Sequence, residues 1–207
     1  MSHCTKFDFT YSNESAIVKA FGKLGVNCST ELVCEFQSNA SKKFLGSLGY
    51  LGNKQHRAII GTINDYNVFL CRVEENRYEL IVERHKNFNQ TEAKEVAATF
   101  KRAYIEVAID DVVRKLDDAN MPSRVVKEKD KFIIYFGTTL EYSVSVVYND
   151  KNVMEEVTGI KGEFCTKITE DIENMLSHPE AELSTEWKQE YNMILEDQNI
   201  QVLNLFF

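Results

Sequence analysis

The 207-residue sequence has only two prolines, and its four scattered histidines and five cysteines are too few and too dispersed to indicate a disulfide-rich or metal-bound protein. The number of cysteines is odd and no two have the Cys-x-x-Cys spacing, so we expect neither a disulfide framework nor a zinc site. We also expect no cofactor. No segment approaches the roughly 18 apolar residues of a membrane span, and the first residues show no basic stretch followed by an apolar run. We therefore expect a cytoplasmic protein with no membrane partner.

Charge is distributed unevenly along the chain, which has a formal net charge of -8. Residues 1–149 contain 20 Lys and Arg against 19 Asp and Glu, whereas residues 150–207 contain 4 against 13. A region this acidic repels nucleic acid and favours solubility or a basic partner surface. The charge pattern thus predicts a protein partner and no nucleic acid partner.

Hydrophobic periodicity predicts strands mixed with helices up to residue 137. The predicted elements are a strand around Phe7 and Phe9, a helix from Asn13 to Gly25, strands at 32–36, 58–63, 66–73 and 77–83, a helix at 91–119, and a strand at 131–136. In the first helix, Val18 is predicted on the apolar side with Ile17, Phe21 and Leu24. Pro122 is predicted to end the long helix.

After Gly137 the pattern begins again with strands at 142–148 and 153–158, followed by a helix with an apolar stripe and a short helix from Ser184. Hairpins rather than repeated crossovers indicate an α+β fold: two small domains with mainly antiparallel sheets packed against helices. We place these domains at residues 1–137 and 138–191, with 192–207 as a C-terminal extension.

Carboxylates on the long helix are the first candidates for chemistry, but their spacing favours a structural role. Asp110 and Asp118 each lie four residues from Arg114, and Asp111 lies four residues from Lys115, as on a charge-balanced solvated helix face. The Glu83-Arg84-His85 corner contains one histidine without a second ligand motif. We assign no catalytic residue, and the sequence favours a non-enzymatic protein over an enzyme.

The loop at residues 46–57 resembles phosphate-cradling loops in its glycines and basic residues. It has no Gly-Lys-Ser/Thr and precedes a strand rather than a helix, so a flexible loop is the preferred interpretation. The alternative is a small anion or RNA patch, whose residues would be Lys42, Lys43, Tyr50, Lys54 and Arg57.

Gly159 and Gly162 mark a tight connection between a strand and a helix, and Cys165 lies in the first turn of that helix. The helix dipole would stabilise a thiolate there. Glu163 opposes this effect, and the apolar neighbour Phe164 indicates a packed position. A structural cysteine is the preferred interpretation, with a reactive cysteine as the alternative.

The last residues resemble the short peptide by which replication and repair proteins dock on the bacterial sliding clamp. The matching residues are Gln201, Leu203, Leu205 and Phe206. A glutamine can fix the register by hydrogen bonds while Leu and Phe fill an apolar groove. The preferred alternative is a last strand of the fold that buries alternate side chains.

Several short motifs in residues 1–137 occur together. They are the Met1-Ser2-His3 start, Gly49-Tyr50 with Gly52, Ala58-Ile59-Ile60, Asp65-Tyr66, Tyr78-Glu79-Leu80-Ile81-Val82 and Arg102-Ala103-Tyr104. With them, this part of the chain resembles a family of uncharacterised proteins found in cyanobacteria and encoded in algal plastids. The sequence departs from that family at 83–85, where the family has a tryptophan or an aspartate after the hairpin.

Residues 138–191 carry a second set of motifs. They are Glu155-Glu156-Val157-Thr158-Gly159, Gly162, Cys165, Thr169-Glu170-Asp171-Ile172-Glu173 and a closing segment from Ser184 to Tyr191. This part looks like a small companion family, and neither family has an assigned activity. Both are similar to proteins thought to be encoded near ATPases of the AAA class, which implies an adaptor or accessory subunit. The alternatives are a clamp-associated binder, or an enzyme or anion binder using the loop or Cys165.

Overall fold

A computed structural model describes residues 3–32, 57–75, 77–128, 131–137, 140, 142–147, 157–158, 170–172 and 174–175. The chain divides into two compact units, one formed by Met1–Ala108 with Asp150–Asn152 and the other by Ile109–Asn149 with Val153–Phe207. Within the described ranges, no helix is long and apolar enough to cross a membrane.

The first unit is built on a five-stranded antiparallel sheet. Its strands are β1 (His3–Tyr11), β2 (Ser29–Leu32), β3 (Arg57–Ile63), β4 (Tyr66–Glu74) and β5 (Arg77–Arg84), in the order β1-β5-β4-β3-β2. Asn64 and Asp65, with φ of 49° and 64°, form a two-residue turn between β3 and β4. Positive φ at both positions is the type I′ geometry that matches the twist of a hairpin.

Both faces of this sheet carry buried apolar side chains. On one face, Phe21 of helix α1 (Glu14–Lys23) packs against Gly61 and lies 4.6 Å from Phe100, centroid to centroid. Phe100 belongs to helix α2 (Gln90–Asp118). The other face has a buried cluster that consists of Ala58, Phe69, Cys71 and Ile81. Two buried faces explain why β4 is apolar almost without interruption.

Helix α1 follows the prediction at its ends and departs from it on one side. The Asn13 side chain accepts from the Ala16 backbone N–H at 2.8 Å, and Gly25 ends the helix at φ 68°. Val18 was wrongly predicted on the apolar side, because it is 44% exposed. The buried stripe consists of Ala16, Ile17, Ala20 and Phe21.

Helix α2 ends before the predicted stop at Pro122. Asn120 adopts φ 59°, its N–H donates to the Asp117 carbonyl, and the Met121 N–H donates to the Leu116 carbonyl. These two bonds form a Schellman motif, which satisfies carbonyls that the helix leaves open. Pro122 follows the motif and does not create it.

The second unit contains a four-stranded antiparallel sheet. Its strands are β6 (Ser123–Lys127), β7 (Lys131–Phe136), β8 (Tyr142–Val147) and β9 (Val157–Thr158), in the order β6-β7-β8-β9. One face is buried through Phe132, Ile134, Phe136 and Val144. Strand β6 was not predicted. The α+β fold with antiparallel sheets is confirmed.

Strands on both sides of the predicted domain boundary belong to one sheet. β7 ends at Phe136 and pairs along its whole length with β8, which begins at Tyr142. The boundary at residues 137 and 138 therefore falls within a hairpin. The division into compact units falls after Ala108, inside α2, and the domain bounds at residues 137 and 191 stay a prediction.

Candidate functional site

Polar side chains from β4, β5 and the start of α2 meet in the first unit. The buried Tyr66 hydroxyl donates to Glu92 Oε2 at 2.8 Å and accepts from the Asn89 backbone N–H at 3.2 Å. Arg84 Nη1 lies 3.0 Å from the same Glu92 oxygen, and Arg84 Cζ lies 4.8 Å from the centroid of the Tyr66 ring. We call these four residues the Arg84 corner.

The Arg84 corner also caps the helix. Asn89 Oδ1 accepts from the backbone N–H groups of Thr91 at 2.9 Å and Glu92 at 3.4 Å, as an N-cap residue does. The hydrogen bond to Tyr66, with the nearby Glu92 and Asp65 carboxylates, raises the pKa of Arg84 above its ordinary value. The four residues of the Arg84 corner contact one another and fix the start of α2. Their role is therefore structural.

Carboxylates further along α2 are held in ion pairs. Asp111 accepts from Arg114 and lies 3.6 Å from Lys115 Nζ. The predicted pairing of Asp111 with Lys115 is confirmed, while Arg114 contacts Asp111 rather than Asp110 or Asp118. Such pairs stabilise a helix by a few tenths of a kcal/mol, about 0.3–0.5 each.

Two other acidic side chains of α2 bind neighbouring elements. Asp117 Oδ1 accepts from both the backbone N–H and the hydroxyl of Ser123, each at 3.0 Å. Glu106 lies 3.5 Å from Arg102 Nε and 3.9 Å from Lys23 Nζ. In the described part of the chain, no group of three or more His, Cys, Asp and Glu side chains could hold a metal ion.

Cys28 and Cys71 lie where a thiolate is disfavoured. Burial raises the pKa of Cys71 to about 12 and also raises the pKa of Cys28. Both thiols are protonated at neutral pH, and Cys71 packs in the buried cluster of the five-stranded sheet. Cys165 lies outside the described residues.

The second sheet has one face whose side chains are accessible. Register places Arg124, Tyr135 and Ser143 directly opposite one another across β6, β7 and β8, and Val126, Ile133 and Ser145 two residues further along. Arg124 is exposed and the other five are partly exposed, whereas Ile134 and Val144, which lie between them on β7 and β8, are buried. Together with Lys131, the first residue of β7, these residues form a set of seven that we call the open face.

The open face is rich in hydrogen-bond donors. The hydroxyls of Tyr135, Ser143 and Ser145 make no hydrogen bond to any residue that the structure describes, and the Arg124 guanidinium makes no ion pair there. Lys131 Nζ lies 3.3 Å from Glu128 Oε2 at the β6–β7 turn. None of the seven residues is acidic, so the face presents donors and apolar side chains together.

Of the predicted site residues, Arg57 falls within the described ranges. It was predicted at the end of the glycine-rich loop; it is the first residue of β3, is exposed, and pairs with Leu32 of β2. The other predicted site residues lie outside the described ranges: Lys42, Lys43, Gly49, Tyr50, Gly52, Lys54, Gly159, Gly162, Cys165, Gln201, Leu203, Leu205 and Phe206.

Comparison with known proteins identifies one segment of the second unit. Residues 145–191 match a protein-family model described as "Protein of unknown function (DUF2997)". This is the DUF2997 segment. It begins inside β8 at Ser145 and includes β9 and the helical residues 170–172 and 174–175. Neither the curated proteins nor the solved structures gave a match.

The DUF2997 segment lies within the predicted companion domain at 138–191 and confirms that a domain of unknown function is present there. It contributes Ser145 to the open face, while the other six residues precede it. Sequence reasoning missed this face because β6 was not recognised. The signal was Val125-Val126, a β-branched pair between Pro122 and the charged Lys127-Glu128 turn.

Proposed function

We propose that the protein is a cytoplasmic, non-enzymatic accessory or adaptor protein, and that the open face is the surface that docks its partner. The observation that carries the proposal is the mixed character of this face. An antiparallel sheet with one solvated face ordinarily presents polar residues there. Here Val126, Ile133 and Tyr135 are partly exposed beside Arg124, and aromatic residues and arginine are enriched at protein interfaces.

An ATPase of the AAA class is our candidate partner. The resemblance of residues 1–137 to the cyanobacterial and plastid family, joined to a DUF2997 segment, supports an accessory role beside such an enzyme. An adaptor protein requires a docking surface, and the open face offers one.

Affinity purification followed by quantitative mass spectrometry tests the proposal. The baits are the full-length chain, the double variant Ile133→Thr/Tyr135→Thr, and the control Val18→Thr, which removes an exposed apolar group from α1. Threonine keeps strand propensity, so folding should be retained. We expect the recovered amount of at least one captured protein to fall about tenfold with the double variant and to stay unchanged with the control. Interface anchors contribute about 1.4 kcal/mol or more to binding, which corresponds to this factor. Retention of every captured protein by the double variant would overturn the proposal.

A sliding-clamp binder is the second candidate, supported by the pattern of Gln201, Leu203, Leu205 and Phe206. Removing residues 201–207 should then abolish retention on immobilised clamp while leaving the open-face partner in place. Unchanged retention would exclude it.

An enzyme, or an anion or RNA binder, is the remaining alternative, using Cys165 or the basic residues Lys42, Lys43, Lys54 and Arg57 with Tyr50. It would be abandoned if Cys165→Ala and Lys54→Ala both left every measured phenotype intact.

A further inference from the structure

We infer that the open face binds an extended segment of a partner protein in which an acidic residue lies two positions from an apolar residue. This inference rests on the proposed function, because it specifies the chemistry of the partner at the same surface. It is based on two rows of side chains on the open face, on the spacing between the rows and on their hydrogen-bond donors.

The first row carries the donors. Arg124, Tyr135 and Ser143 lie opposite one another on three adjacent strands, and opposite Cβ atoms in a sheet are about 5 Å apart. A guanidinium offers five N–H donors in a planar fork that matches a carboxylate, and the two hydroxyls can donate beside it. One carboxylate laid on this row would therefore receive charge-assisted hydrogen bonds.

The second row carries the apolar contacts. Val126 and Ile133 lie opposite each other, with Ser145 as the next residue across the sheet. The two rows are two residues apart along each strand, a distance of roughly 7 Å. In an extended peptide, side chains at i and i+2 have the same spacing and point to the same side. An acidic residue on the first row thus brings residue i+2 over Val126 and Ile133.

A protein segment suits the charge of this face better than a nucleic acid does. Duplex DNA carries one negative charge per roughly 1.7 Å of its length, which requires many cations. The face has Arg124 and Lys131, the latter already beside Glu128, on a chain with net charge -8. The Arg124 guanidinium can balance the charge of a single carboxylate.

The edge of β6 is a poorer docking place than the face. Ser123 donates its backbone N–H to Asp117 Oδ1, so part of the edge is already engaged by α2. Lys127 is exposed near the other end, and an edge lysine disfavours the addition of a strand. The partner segment is therefore expected on the face formed by the two rows.

The test uses the full chain and a labelled nine-residue peptide, Ser-Gly-Ser-Glu-Thr-Val-Thr-Ser-Gly, with binding followed by fluorescence polarisation and by ¹⁵N chemical shifts. Matched peptides replace Glu by Gln, replace Val by Ser, or exchange Val with the preceding Thr so that Glu and Val are adjacent. Matched protein variants are Arg124→Gln and Lys127→Gln, which remove one charge from opposite sides of the same strand.

We expect shift changes confined to β6, β7 and β8, and about tenfold weaker binding of the Gln peptide, because a charge-assisted hydrogen bond is lost. Arg124→Gln should weaken binding of the Glu peptide about tenfold and leave the Gln peptide unaffected. Lys127→Gln should leave the ratio of the affinities for the Glu and Gln peptides unchanged. The peptide with adjacent Glu and Val should bind more weakly than the original.

Failure of this inference and failure of the proposed function are distinguishable. If the threonine double variant loses a captured partner while Glu and Gln peptides bind equally, the face docks a protein and the acidic chemistry is wrong. Arg124-dependent binding of a labelled single-stranded oligonucleotide without peptide binding would also overturn the inference. So would peptide binding that appears only after removal of residues 192–207, because the chain's own end would then be the occupant.

Discussion

Gly61 lies where α1 packs on the five-stranded sheet, and it has no room for a side chain. A Cβ atom at this position would lie 2.4 Å from Phe21 Cε1 and 3.0 Å from Val26 Cγ1. Phe21 itself is fully buried against Phe100, so it cannot move aside freely. The close approach of helix and sheet therefore depends on one glycine.

We expect Gly61→Ala to lower the free energy of unfolding by about 2 kcal/mol, as overpacking of a core does. Gly22→Ala is the matched control, because Gly22 is exposed in α1 and a methyl group there would have nothing within 4 Å. Alanine at position 22 should stabilise the helix by about 0.5–1 kcal/mol. Urea unfolding at pH 7 measures both, and equal effects of the two substitutions would contradict the packing described for Gly61.

Tyr78 connects β5 to the first turn of α1 through a hydrogen bond from its hydroxyl to Glu14 Oε2 at 2.8 Å. Burial, together with this bond, raises the pKa of Tyr78 to about 12, above its ordinary 10.0. Below pH 10 the phenol is neutral in both folded and unfolded chains, and its stabilising contribution is fully present. As pH rises from about 10 to about 12, only the unfolded chain ionises, and that contribution is lost.

Tyr78→Phe should lower stability at pH 7 by about 1 kcal/mol and make the decline between pH 10 and 12 shallower. Some decline should remain, because burial also raises the pKa of Tyr11. Tyr135→Phe is the control, since its hydroxyl makes no hydrogen bond to a described residue. Urea titrations across this pH range test the expectation, and an unchanged slope for Tyr78→Phe would contradict it.

Among the elements, α2 shows how a backbone motif rather than a proline ends a helix. Asn120 holds φ 59°, and Met121 and Leu116, joined by the second bond of the motif, are both buried. Asparagine tolerates the left-handed region better than most residues do, and glycine tolerates it without strain. Pro122 is exposed, and its carbonyl accepts from the Gly137 N–H at 3.1 Å.

We expect Asn120→Ala to lower the free energy of unfolding by about 1 kcal/mol, because alanine is strained at positive φ. Asn120→Gly should change it by less than about 0.5 kcal/mol. Pro122→Ala should also have a small effect. Thermal unfolding followed by circular dichroism measures all three, and a larger loss from Pro122→Ala than from Asn120→Ala would restore proline as the residue that ends α2.

Much of the local structure could be predicted from sequence because side-chain chemistry specifies it directly. Asn13 as a cap, Gly25 as a helix end, and the hairpin between β4 and β5 are examples. Strand β6 was missed because its five residues include Arg124 and Lys127, and its pairing with β7 is not visible in its own local pattern. The open face depends on register across three strands, which local patterns do not contain.

At the scale of the whole molecule, the DUF2997 segment shares its sheet with strands that precede it. The segment contains the second half of β8 and all of β9, whereas β6 and β7 precede it. Within the described residues the segment thus contributes to two strands, and a sheet of two strands is marginally stable in water. The preceding strands β6 and β7 therefore extend the sheet to which β8 and β9 belong.

We expect a fragment of residues 138–207 to lack a cooperative thermal transition, whereas residues 109–207, which retain β6 and β7, should keep one. Loss of β7 removes the pairing partner of β8 and exposes Val144. Circular dichroism melts and amide chemical-shift dispersion measure the difference. A cooperatively folded 138–207 fragment would contradict the dependence and would support the predicted boundary after Gly137.

Docking of a partner on the open face is tested most directly by site-specific photo-crosslinking of the full chain in cells that express it naturally. Benzoylphenylalanine replaces Tyr135 on the open face or, as the control, the exposed Lys94 on α2. We predict a protein adduct at position 135, mapped to a segment with acidic and apolar residues two apart, and none at position 94. The absence of an adduct at 135, or the same adducts at both positions, would contradict docking on the open face.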